Sequence, residues 1–206
     1  MSELVALLRG VNVGGKVAKM DAVRAAFEAA GFANVRTYVQ SGNVLFAAKT
    51  GTEAALATKI AARLEKDIGF SIAVLVLSAK DLARVVAQNP FLNEKGIALT
   101  ELGFAQRSRR GRSKEPSQGS CLIDVSKLHV TFLHGAPPAA GLQKMAAVAS
   151  GRDRFVARGT TIYLHCPDGY GRSKLVNNAF ERALKVGATT RNWNTVTTLA
   201  GMLVPS

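Results

Sequence analysis

Cysteine and histidine are scarce: 206 residues contain only Cys121, Cys166, His129, His134 and His165. Two cysteines so far apart exclude a disulfide framework and fit a reducing, cytoplasmic compartment. His129 and His134 fall five residues apart on a predicted strand, so their side chains face opposite ways and make no metal pair. His165 and Cys166 are adjacent and diverge in the same manner, and no neighbour suggests an activated thiolate. Long apolar runs are missing too. The longest, Ile72 to Leu77, is too short to span a bilayer, and Leu4 to Leu8 lacks the basic flank and length of a signal-peptide core. Nothing calls for a membrane, a metal or a cofactor.

Acidic residues are also few, 14 against 27 Lys and Arg, for a net charge of +13. The excess concentrates in residues 127–206, which carry ten basic and three acidic residues, with a local spike in RSRRGRSK at 107–114. Such a surface attracts phosphorylated ligands or nucleic acid, although many basic proteins bind neither. With 48% hydrophobic residues the chain has ample material for a core.

The apolar pattern is organised twice over. Glu3 to Leu8 predicts a strand buried on both faces. Met20, Val23, Phe27 and Ala30 recur at helical spacing, with Gly31 as the stop. NVRTYVQSGNVLFA reads as a hairpin turning at Ser41-Gly42-Asn43. A helix follows with Thr50 and Glu53 spaced as a capping box, then the strand Ile72 to Leu77, then a helix capped by Ser78 and Asp81. This is the β-α-β-β-α-β order of the ferredoxin-like sandwich.

After residue 126 the plan restarts. Leu128 to Leu133 predicts a strand, Pro137-Pro138 opens a helix, DRFVARGTTIYLHC reads as a hairpin, and Ser173 caps a helix ending at Gly187. A last helix, capped near Thr190, carries Trp193, Val196, Ala200 and Leu203 on one face. The expectation is an α+β fold of two ferredoxin-like β-α-β-β-α halves, a pseudo-duplication, plus a C-terminal helix. Residues 1–92 form the first half and residues 127–206 the second. Residues 93–126, rich in Gly, Ser, Arg and Lys, form a basic flexible insertion.

LLRGVNVGGKVAKM places Gly10, Gly15 and Lys16 at the spacing of a nucleotide-binding P-loop, but Val17 stands where Ser or Thr must hold Mg²⁺. The helical pattern also begins late, at Met20. The loop therefore fails the pattern of a nucleotide-hydrolysing site. Arg9, Asn12, Gly14, Gly15 and Lys16 could still bring backbone amides and charge to a ligand, or simply turn a strand into a helix. PDGYGRSKL could present Arg172, Ser173 and Lys174 at a helix start suited to phosphate or carboxylate, or be an ordinary cap. TTRNWNTV crowds Arg191, Asn192 and Asn194 around Trp193. The third strand, GNVLFA, lacks the stacking aromatics of RNA-recognition folds, so only bulk charge keeps RNA as a partner.

Taken together, ALLRGVNVGG (6–15), RTYVQSGNVLF (36–46), YLHCPDGYGRSKL (163–175) and ATTRNWNTV (188–196) resemble the bacterial family called domain of unknown function 1697. The resemblance implies a pseudo-duplicate of two ferredoxin-like halves, and no activity is established for the family. It also points to signature positions at Arg9, Asn12, Gly14 and Gly15, at Gln40, Ser41, Gly42 and Asn43, at Gly171 to Lys174, and at Arg191 to Thr195. Residues 94–124 lengthen a connection that is typically shorter, and Cys166 stands where an aromatic is more usual. Two functional expectations follow. One is an anionic small molecule or nucleic acid bound in a groove between the halves, where Arg172→Ala or Arg191→Ala would abolish binding without changing the melting temperature. The other is an enzyme using Ser41 or Tyr38 in that groove.

Overall fold

The computed structural model describes residues 1–11, 17–39, 42–92, 123–149 and 151–203. Strand β1 (Ser2–Arg9) leads to helix α1 (Met20–Ala29), the hairpin β2 (Ala33–Tyr38) and β3 (Asn43–Ala48), helix α2 (Glu53–Ile68) and strand β4 (Ala73–Ser78). They form an antiparallel sheet in the order β2-β3-β1-β4. Helix α3 (Ala79–Ala87) follows at once, opened by a capping box in which Ser78 and Asp81 exchange hydrogen bonds. The second series is β5 (Leu128–Leu133), α4 (Ala139–Val148), β6 (Arg154–Arg158), β7 (Thr161–His165), α5 (Asn177–Leu184) and β8 (Ala188–Asn192). Its antiparallel sheet, β6-β7-β5-β8, repeats the strand order of the first. Helix α6 (Trp193–Met202) closes the series. Among the described residues the fold is α+β, with two four-stranded sheets and six α-helices.

Residues Leu4 to Leu8 are all buried because both faces of β1 are covered. Leu4, Ala6 and Leu8 join Phe27, Phe46, Ile60 and Leu64 under α1 and α2. Val5 and Leu7 instead enter a middle core shared with Val130, Phe132 and Tyr163 of the second sheet, Leu82 and Val85 of α3, and Trp193 and Val196 of α6. A third core, with Leu164, Phe180 and Leu184, lies between the second sheet and helices α4 and α5. The Tyr163 hydroxyl donates to the Val85 carbonyl at 3.0 Å, tying the second sheet to α3.

Several sequence expectations shift by a few residues, each for a local reason. The cap of α2 is Thr52, whose side chain accepts from the Ala55 amide, not Thr50, because Gly51 at φ 123° still turns the chain. Ser173 does not cap α5. Its hydroxyl accepts from the Leu175 amide at 2.9 Å, Leu175 is fully buried, and the helix starts only at Asn177. Lys185, at φ 58°, ends that helix ahead of Gly187, where a side chain would press on the His134 ring at 3.2 Å. Thr190 lies inside β8, a strand that the pattern did not reveal, and Asn192 caps α6 by accepting from the Thr195 amide at 2.7 Å. The expected insertion falls mostly outside the described residues. Its described end holds the 3-10 turn Val125–Lys127, where Asp124 accepts from the Ser126 amide. Among the described residues no helix is long and apolar enough to cross a membrane.

Candidate functional site

The register of β5 against β8 pairs Val130 with Arg191, which turns the arginine toward the middle core at the edge of the second sheet. There its guanidinium reaches the first half. Nε donates to Asn43 Oδ1 at 2.6 Å, and Nη2 donates to the Leu8 carbonyl at 2.9 Å and the Gly42 carbonyl at 3.3 Å. Nη1 donates to the Thr190 carbonyl at 2.9 Å. Asn43 is buried and passes a hydrogen bond back to the Tyr38 carbonyl at 3.2 Å. Gly42 fits here for steric reasons. At φ +71° a Cβ would stand 2.9 Å from Leu8 Cβ, while the Leu8 amide donates to the Gly42 carbonyl at 2.7 Å.

Every acceptor around Arg191 is neutral. No carboxylate among the described residues forms an ion pair with it. Burial, and secondarily the charge of Arg9, push its pKa down to about 10.

Arg9, at the end of β1, crosses to α5 and grips Glu181 with two hydrogen bonds, Nε to Oε1 at 3.0 Å and Nη2 to Oε2 at 2.8 Å. Nη2 also donates to Asn178 Oδ1 at 2.8 Å, and Glu181 Oε1 accepts the Ala188 amide at 3.1 Å. Asn178 and Glu181 share one face of α5 by their three-residue spacing. Burial alone would raise the Glu181 carboxyl, but the hydrogen bonds from Arg9 and Ala188 outweigh it and hold the pKa below the ordinary 4.5. This pair therefore stabilises the fold above about pH 4.5, and its contribution is lost as the pH falls through the depressed value. Glu181→Gln should melt below the wild type at neutral pH, with the two melting curves converging in acid. Parallel curves at all pH values would show that the carboxylate contributes nothing.

Of the residues singled out in the sequence, the structure thus brings Arg9, Asn43 and Arg191 together. Asn12, Gly14, Gly15, Lys16, Gln40 and Ser41 lie outside the described residues. Arg172 is exposed at the end of the 3-10 turn Tyr170–Arg172, so with Ser173 and Lys174 it stands ahead of α5 rather than at its N-terminus. Lys174 lines a groove between α4 and α5 instead. Asn192 serves as a cap, and Asn194 is exposed on the first turn of α6. Tyr38 packs against the middle core. Asn178 and Glu181 were not anticipated. The one available signal was that Glu181 is the sole acidic residue between Asp168 and the C-terminus.

Cys166 and His129 are both shaped by burial. Burial pushes the Cys166 thiol up, away from thiolate. His129 stacks on Tyr170 with ring centroids 4.7 Å apart, and burial lowers its pKa. Among the described residues no His, Cys, Asp and Glu cluster could hold a metal ion.

The family model for proteins of unknown function DUF1697 matches residues 1–105. This chain belongs to the DUF1697 family. The match covers the glycine-loop and hairpin motifs, and the two later motifs lie beyond it. The conserved bacterial protein SP0830 from Streptococcus pneumoniae is similar in structure, with a TM-score of 0.67 over 98% of each chain at 18% identity, a likeness of fold alone. No curated protein matches the chain.

Proposed function

We propose that this DUF1697 protein binds an anionic ligand, carrying phosphate or carboxylate, at the seam between its two sheets. The observation that carries this reading is the Arg191 guanidinium, buried among neutral oxygens with no carboxylate partner among the described residues and with its pKa pushed down to about 10. An opposite charge nearby favours the charged form of such a group. Asn12, Gly14, Gly15 and Lys16 follow Arg9 closely in the chain, and Gln40 and Ser41 lead directly into Gly42, so both motifs leave strand ends that Arg191 touches. The repeated strand order supports two ferredoxin-like halves of a duplicated unit, with the ligand read by one half against the other. The reducing composition supports a cytoplasmic setting.

Titration calorimetry with pyrophosphate, a nucleoside monophosphate and a short RNA tests the reading. One phosphorylated small molecule should bind saturably, and Lys16→Ala should weaken it about tenfold, a difference of about 1.4 kcal/mol, without moving the melting temperature. Failure of every anion to bind would sink the proposal. RNA binding with a steep salt dependence, untouched by Lys16→Ala, would make the basic surface the functional element instead. Turnover of a test substrate lost on Ser41→Ala would make the protein an enzyme.

A further inference from the structure

Helix α5 presents three faces. Asn178 and Glu181 engage Arg9, Phe180 and Leu184 fill the third core, and Val176, Ala179 and Arg182 look toward α4. The two helices are pinned where Gly141 of α4 meets the end of α5, since a Cβ there would stand 2.6 Å from the Ala183 carbonyl oxygen. Toward the other end of α4 the floor is small and aliphatic, and a groove of about 480 Å³ opens between Met145, Val148, Val176 and Ala179. Val148 is 37% exposed, so part of an aliphatic side chain here stays in water.

Two cations, Lys174 and Arg182, stand at this groove, and neither forms an ion pair among the described residues. Helix α4 has no acidic residue, and the one acid of α5, Glu181, is held by Arg9. Apolar walls with unpaired positive charge match a molecule that joins a hydrocarbon chain to an anionic head. The volume lies within the range of small-ligand sites, about 300–1,000 Å³. Closure at Gly141 stops a helix or strand from running the length of the groove, which favours a small molecule over a peptide.

We propose that the groove between α4 and α5 binds a small amphiphile, an alkyl chain bearing a carboxylate, with the chain on Met145, Val148, Val176 and Ala179 and the head at Lys174 and Arg182. The site is separate from the seam and does not depend on the reading of Arg191. It uses side chains of α5 that point away from Arg9.

Calorimetric titration of the full chain with decanoate, below its micellisation concentration, tests it. Binding should saturate at one site and weaken about two- to fourfold for each methylene removed, the upper figure applying to full burial. Lys174→Ala with Arg182→Ala should weaken decanoate about tenfold and leave the uncharged decanol unchanged, the charge contribution of two exposed cations. Val148→Asp should weaken both. Lys174 and Arg182 are exposed, so the double variant should keep its melting temperature, whereas Val148→Asp, at the C-terminal end of α4, should lower it modestly, and circular dichroism checks that each variant is folded. The proposal is overturned by an absence of saturable binding, by affinity indifferent to chain length, or by variants that bind as the wild type does. Adsorption to anionic vesicles without binding of monomeric decanoate would also overturn it, marking the face as a membrane contact.

Discussion

Arg191→Ala is expected to lower the melting temperature by about 6–12 °C, the reverse of the neutral effect anticipated from the sequence. The side chain satisfies Asn43 Oδ1 and the carbonyls of Leu8 and Gly42, all at the junction of the two sheets. Removing it deletes three hydrogen bonds, at about 1 kcal/mol each, or about 3 kcal/mol in sum, although the Gly42 carbonyl keeps the Leu8 amide as a donor. Arg191→Lys should recover little. A single ammonium lacks the planar fork that reaches Asn43 with Nε and two carbonyls with Nη2. Thermal melts and urea titrations of both variants give the answer. A loss of under about 2 °C together with abolished anion binding would show that Arg191 acts on a ligand and not as a strut. If both change, ligand added at a hundred times its dissociation constant should stabilise the wild type by about 2.7 kcal/mol and the variant by less.

Tyr163→Ala is expected to be the most damaging change at the junction, about 3–5 kcal/mol, because it empties a ring-sized space in the core that both halves share. The residue is 1% exposed and belongs to the core that also holds Val5, Leu7, Val85 and Trp193. Tyr163→Phe separates the two contributions. It keeps the ring and deletes only the hydroxyl that donates to the Val85 carbonyl, an expected loss of about 1 kcal/mol. Burial, the main cause, also pushes the Tyr163 phenol up, so this hydroxyl keeps its proton as the pH rises. Equal losses for the two variants would mean that the hydrogen bond, not the packing, joins the halves. A loss under about 1 kcal/mol for the alanine would mean that the middle core adds little to stability.

Much of the fold was legible because local chemistry and burial agree. The unbroken run Leu4 to Leu8 foretold a strand covered on both faces, and Ser78 with Asp81 foretold the capping box of α3. Strand β8 was not legible. Ala188–Asn192 reads ATTRN, with no apolar alternation, and it becomes a strand by pairing with β5. GRSK misled for a related reason. Ser173 before an apolar residue looks like a cap, yet Leu175 dips into the third core before the helix begins.

The candidate site divides in the same way. Arg9 and Asn43 stood out as polar residues beside glycines and Arg191 as one of the polar residues crowded around Trp193, whereas Glu181 and Asn178 meet Arg9 across separations of 172 and 169 residues that no local pattern encodes. The groove at Lys174 and Arg182 depends on how closely α4 and α5 approach, which Gly141 permits but does not announce.

By itself, then, the amino-acid order determined most of the strands and helices, though not β8, that the β-α-β-β-α plan occurs twice, and that residues 127–206 are strongly basic. Apolar spacing and turn chemistry act over a few residues and can be read there. Only the tertiary structure decided which cations are spent on protein acceptors and which stay unpaired. Arg9 and Arg191 are used within the fold, while Lys174 and Arg182 have no acidic partner among the described residues, because the partners of a charge depend on three-dimensional packing and not on its sequence neighbours.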